Sequence, residues 1–210
     1  MTALSPRATT LVHLVAGRAL GYPDEELLVT LPALRAALAE VPEPVRGHLT
    51  TLLDHLGTEP PTALAADYVS TFDLRRRCCL YLTYYAYGDT RKRGIALLGF
   101  KHAYRAAGLE LGPGELPDHL CVLLEFSATG DLDAGRRLLI EHRAGLELLR
   151  LALLDARSPY AAALIAVSAT LPPLRGDDRA AVAKLAAEGP PGEDVGLEPF
   201  APPDYMGARR

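Results

Sequence analysis

The stretch Cys78–Tyr87, CCLYLTYYAY, runs for ten residues without a charge, and wound into a helix it is apolar or aromatic on every side. Such a helix has no polar stripe to turn toward water, so it belongs in the middle of a helical protein. Working outward, Gly88 stands where a glycine C-cap ends the helix, and Asp89 is placed to cap the next one. In that next helix Ile95, Leu98 and His102 share one face, while Leu97, Phe100 and Tyr104 share another, until Gly108 closes it. After a Gly112-Pro113-Gly114 turn, Pro117 suits the first turn of a helix that extends to about Ala128.

The remaining segments have the same helical spacing between Pro and Gly punctuation. Helices are predicted over Ala8–Leu20, from Pro23 with Asp24, Glu25 and Glu26 in the first turn and a kink or restart at Pro32, over Val45–Leu56, and over Thr62–Phe72. One long helix is expected from Asp131 to Arg157, another from Ser158-Pro159 to Leu171, and a last one over Asp177–Glu188. Ala and Leu dominate and Trp is absent, which favours helix over sheet. The expectation is an all-α, single-domain helical bundle of roughly eight to ten helices over residues 1–188, with a mobile Pro/Gly-rich tail over 189–210.

Composition also excludes function classes. A net charge of −4 speaks against general nucleic-acid binding, which relies on a basic surface. The N-terminal segment has neither a basic start nor a small-residue cleavage site, and no apolar run approaches the roughly 18 residues of a membrane span, so a cytoplasmic chain with no direct membrane insertion is expected. Cys78, Cys79 and Cys121 lack C-x-x-C spacing and are read as reduced, buried thiols. None of the six histidines forms the H-x-x-x-H or E-x-x-H spacing of a metal site, and no glycine-rich phosphate loop is present.

What remains is a dense set of recognition residues. Arg75, Arg76 and Arg77 precede the apolar stretch, where they either pair internally with Asp73, Asp89 or Asp118 or anchor a partner. Tyr81, Tyr84, Tyr85 and Tyr87 cannot all point one way on a helix, so some reach its edge. Glu115, Asp118 and His119 cluster at a helix start, which the helix dipole explains; the functional alternatives are an exposed acidic recognition surface or a small helical enzyme using Asp118 and His119.

The segments YVSTFDLRRRCCLYLTYYAYGDTRKRG (Tyr68–Gly94) and GLELGPGELPDHLCVLLEF (Gly108–Phe126) resemble the nitrate reductase molybdenum cofactor assembly chaperones, the delta-subunit or NarJ family, within the wider redox-enzyme maturation proteins. The likeness spans most of residues 8–172 and is strongest at Phe72-Asp73-Leu74, at Gly88-Asp89-Thr90-Arg91 with Arg93-Gly94, and at Leu116-Pro117-Asp118-His119-Leu120. It departs at Cys121, where the family pattern has a second proline, which implies a less kinked helix start. The resemblance implies an all-helical, non-catalytic chaperone that binds the immature catalytic subunit of respiratory nitrate reductase. It implies that the chaperone keeps this client competent for molybdenum cofactor insertion and membrane assembly and leaves before the final enzyme forms; another molybdoenzyme as client is the alternative. The cofactor belongs to the client, and this chain is expected to hold none. An amphipathic N-terminal segment of the client would then lie in an apolar groove. Tyr84, Tyr85, Leu116 and Phe126 are the expected anchors and Arg75, Arg76, Asp118 and Glu125 the rim charges. Homodimerisation is left open.

Overall fold

The structure, a computed structural model, describes residues 4–112 and 114–188. The expected tail from 189 onward lies outside the described residues. Among the described residues the chain forms eleven α-helices and no strand: α1 (Pro6–Ala19), α2 (Glu25–Ala37), α3 (Val45–Thr58), α4 (Pro61–Tyr68), α5 (Leu82–Tyr87), α6 (Arg91–Ala106), α7 (Leu120–Thr129), α8 (Leu132–Glu141), α9 (Arg143–Asp155), α10 (Ala161–Ala169) and α11 (Gly176–Glu188). The all-α expectation holds. Local rules account for many of the boundaries. The side chains of Ser5, Asp24 and Asp131 each accept the hydrogen bond of a first-turn amide, capping α1, α2 and α8. Gly88 ends α5 at φ 55°, a conformation that costs glycine nothing. Pro32 is accommodated inside α2 without ending it.

Helix α1 is the hub, packed against α7, α10 and α3 and burying nine of its fourteen residues. Its crossing with α7 is close: a Cβ on Gly17 would lie 3.0 Å from the Leu124 Cβ. Inside this junction His13 bridges three elements, with Nδ1 2.8 Å from the Ser127 hydroxyl on α7 and Nε2 2.9 Å from the Thr170 hydroxyl after α10. Burial, with a smaller push from Arg136, lowers His13 to about 3, so the ring is neutral. A second buried polar tie joins α9 to α10. Glu147 receives Arg143 at 2.9 Å and Arg150 at 2.6 Å, and the Ser168 hydroxyl donates to it at 2.7 Å.

Four expectations are corrected. Cys78–Tyr87 is not one helix: a 3-10 turn over Arg76–Cys78 gives way to extended backbone, and only Leu82–Tyr87 is helical. The reason is a competing partner 35 residues or more along the chain. The Leu120 amide donates to the Leu80 carbonyl at 2.8 Å and the Leu82 amide to the Asp118 carbonyl at 3.1 Å, forming an antiparallel bridge between Tyr81 and His119. Likewise, residues 131–157 make two helices, broken at His142, whose ring stacks on Phe100 with centroids 4.9 Å apart. This one break adds a helix to those expected by position and brings the described α-helices to eleven. Asp89 does not cap α6; Thr90 holds that position, and Asp89 pairs with Arg93 at 2.8 Å. Finally, α4 ends at Tyr68 and passes into a π-helical turn over Val69–Asp73.

Candidate functional site

The ELPDH segment is held against the start of α5 by a clamp centred on Asp118. This carboxylate is fully buried, so its reading as an exposed acidic surface or a rim charge is overturned. Its Oδ2 accepts hydrogen bonds from both the Thr83 amide and the Thr83 hydroxyl, and Arg93 Nη2 lies 3.7 Å away. Arg93 also donates from Nε to the Thr83 hydroxyl at 3.2 Å, and its guanidinium sits 5.4 Å from the Tyr81 ring centre. From the other side the Tyr104 hydroxyl donates to the Pro117 carbonyl at 2.6 Å. A carboxylate so enclosed by its own chain has no face for a substrate. The enzyme alternative using Asp118 and His119 therefore falls.

Beside the clamp lies a groove of about 410 Å³. One wall is the turn from α1 to α2, with Arg18, Gly21, Tyr22, Asp24 and Glu26; the other is Glu115, Leu116, His119, Val122 and Glu125, with Tyr81 between them. Its interior is apolar or aromatic at Leu14, Leu27, Leu116, Val122, Tyr22 and Tyr81. Its edge is acidic. Arg18 is paired with Glu26 at 2.8 Å, which leaves Asp24, Glu115 and Glu125 without a neutralising cation among the described residues. Burial lowers His119 from its ordinary value, only partly opposed by Asp118 and Glu115, so its ring adds no charge near neutrality.

Of the residues proposed from sequence, Glu115, Leu116, His119 and Glu125 meet in this groove. Others are interior. Phe72 packs in an aromatic cluster with Tyr68 and Tyr160, and Phe126 lies 4.4 Å from the Tyr104 ring; Pro117 and Leu120 are also buried. Tyr85 is buried as well, its hydroxyl 2.9 Å from both the Arg77 and Cys79 carbonyls, so it braces the chain before α5 instead of anchoring a ligand. Tyr84 is half-buried and Asp73, Arg75, Arg76, Asp89 and Arg91 are exposed, all outside the groove lining. Of the two readings of Arg75–Arg77, internal pairing with Asp73, Asp89 or Asp118 does not occur among the described residues; Arg93 takes Asp89 and Asp118. Cys78 is buried, but Cys79 and Cys121 are half-buried; burial raises all three thiols above their ordinary value, keeping them protonated. The α1–α2 wall was missed, since Arg18, Tyr22 and Glu26 lie about a hundred residues from ELPDH. The signal available was an Arg and a Glu flanking a Gly21-Tyr22-Pro23 turn.

Fold and site thus define an all-helical bundle with a braced, acid-edged groove. Residues 38–166 match the model of the family described as "Nitrate reductase delta subunit". The chain is 34% identical over 153 residues to the probable nitrate reductase molybdenum cofactor assembly chaperone NarJ of Bacillus subtilis, covering 72% of this chain and 83% of that one. It is 43% identical over 151 residues to the nitrate reductase-like protein NarX of Mycobacterium tuberculosis, covering 72% of this chain but only 23% of the relative. A solved structure of a putative redox enzyme maturation protein from Archaeoglobus fulgidus shares the fold, with a TM-score of 0.54 at 24% identity over 81% of this chain and 94% of that one. The chain belongs to the nitrate reductase delta subunit family.

Proposed function

We propose that this chain is an assembly chaperone for a respiratory nitrate reductase, acting in the cytoplasm as a binding protein and not as an enzyme. It holds the immature catalytic subunit competent for molybdenum cofactor insertion and membrane assembly and is absent from the finished complex. The names of the relatives favour a nitrate reductase over another molybdoenzyme as client. The groove is the observation that supports client binding: apolar inside, acidic at its edge, and bounded by two separate walls. Its volume of about 410 Å³ takes a few side chains and not a whole segment, which suits one face of an amphipathic helix laid across it. The N-terminal segment of the catalytic subunit is the proposed occupant, with a cation to meet Glu115 and Glu125. The molybdenum cofactor stays with the client.

Calorimetry with the full chain and a peptide from the N-terminus of the catalytic subunit tests this reading. Saturable binding weakened about tenfold or more by Leu116→Asp, and separately by Glu125→Lys, is expected, since both residues are exposed and neither holds the fold. Binding indifferent to both substitutions would remove the groove from the mechanism.

A further inference from the structure

Helix α6 leaves one whole face uncovered. Among its sixteen residues only Phe100 and Tyr104 are buried. On the opposite side Arg91, Ile95, Leu98, His102 and Arg105 follow one another at alternating spacings of four and three, the separation that aligns side chains along a helix. Ile95 is 72% exposed and Leu98 52% exposed. Lys92 and Lys101 flank this crest, and Gly94 and Gly99 beside it have nothing within 4 Å of where a Cβ would stand.

The charge on this face is one-sided. The segment 91–106 contains no Asp or Glu, although the chain as a whole carries −4. Arg93 turns inward to the Asp118 clamp, but Arg91, Lys92, Lys101 and Arg105 form no ion pair with any described residue. Glu110 and Glu115 are near Lys101 and Arg105 only across a concavity of about 300 Å³ on one flank. The result is two aliphatic side chains at the crest of a convex helix, ringed by four cations.

We propose that this face docks on an anionic lipid surface. A convex crest needs no matching cleft in a bilayer, where aliphatic side chains enter the headgroup layer and long basic side chains reach anionic groups around them. This is attachment to the surface by one face and not a membrane span; among the described residues no helix is long and apolar enough to cross a membrane. A nucleic acid fits less well, because the aromatic rings that would stack on bases, Phe100 and Tyr104, are both buried. The rest of the chain is net acidic, so this cationic face would lead the approach to such a surface, which orients docking.

The absence of Trp from the chain provides a direct reporter. The full chain carrying Leu98→Trp is mixed with vesicles of phosphatidylglycerol and phosphatidylcholine or of phosphatidylcholine alone. Co-sedimentation and a blue shift of Trp emission are expected with the anionic vesicles only, both fading as salt is raised. In the otherwise unaltered chain, Ile95→Asp should weaken co-sedimentation about tenfold. Joint reversal of Arg91, Lys92, Lys101 and Arg105 to Glu should abolish it while leaving circular dichroism and peptide binding in the groove unchanged. The proposal is overturned by an absence of co-sedimentation, which would leave the face to an acidic protein surface. It is equally overturned by binding that survives charge reversal, or by binding without a Trp shift.

Discussion

Helices α1 and α6 are of similar length and both contain aliphatic residues at helical spacing, yet α1 buries nine of fourteen residues and α6 two of sixteen. The difference lies in what surrounds the apolar residues. On α1 Gly17 lets α7 come close on one side while α10 and α3 also pack against the helix, and Val12 and Val15 are completely buried. On α6, Arg91, Lys92, Lys101 and Arg105 surround Ile95 and Leu98, and burying that face would strip water from four cations with no carboxylate to meet them. Charge on the flank decides which apolar face goes inside.

The contrast can be broken most forcibly where α6 joins the rest of the molecule. Asp118→Ala leaves the Thr83 donors and Arg93 without their buried acceptor, and a loss of about 3–5 kcal/mol in unfolding free energy is expected from urea denaturation. Asp118→Asn, which keeps the volume and an acceptor oxygen, should lose less; equal losses would mean that the negative charge facing Arg93 carries the whole effect. On the packed side, a Cβ on Gly135 would meet the Ser127 Cβ at 2.3 Å, so Gly135→Ala should cost about 1–3 kcal/mol by forcing α8 from α7.

The His13 junction should appear as a pH dependence. Its folded value of about 3 lies below the ordinary 6.5, so below pH 6.5 the unfolded chain binds a proton that the folded chain refuses. Stability is therefore full above that pH and falls by at most about 1.4 kcal/mol per unit as pH drops toward 3. His119 and His142, also lowered by burial, act with the same sign. Denaturation at stepped pH should give a shallower slope for His13→Gln than for the native chain. The smallest effect belongs to the open face: Gly99→Ala, in a helix interior with nothing within 4 Å, should raise stability by about 0.5–1 kcal/mol, opposite in sign to Gly135→Ala. A loss at Gly99 would show that α6 is more closely covered than its exposure indicates.

Much of the fold was legible because it follows local rules. Asp24 at the start of α2, Gly88 at the end of α5 and the Glu59-Pro60 connection between α3 and α4 all act through neighbours a few residues away. What failed depended on distant partners. Asp118 has the sequence context of an ordinary first-turn carboxylate, and only the return of Thr83 and Arg93 makes it interior. Tyr85 and Phe126 looked like groove anchors because aromatic residues suit either a groove or a core. The Arg77 and Cys79 carbonyls decide for Tyr85, and the Tyr104 ring for Phe126. Half of the groove was legible through ELPDH; the other wall, at Arg18, Tyr22 and Glu26, has no motif and owes its place to the crossing of α1 over α7.

The bridge between Tyr81 and His119 has a kinetic consequence for whatever enters the groove. Leu116, His119 and Tyr81 belong to stretches already fastened by two backbone hydrogen bonds and by Asp118, so that wall is set before a ligand arrives. Little conformational freedom of that wall would then be lost on association, and the encounter would proceed at the ordinary rate for preformed surfaces. Release would be governed by how quickly the guest's own side chains withdraw, with the lifetime of the complex written in the guest's sequence more than in the motions of its host.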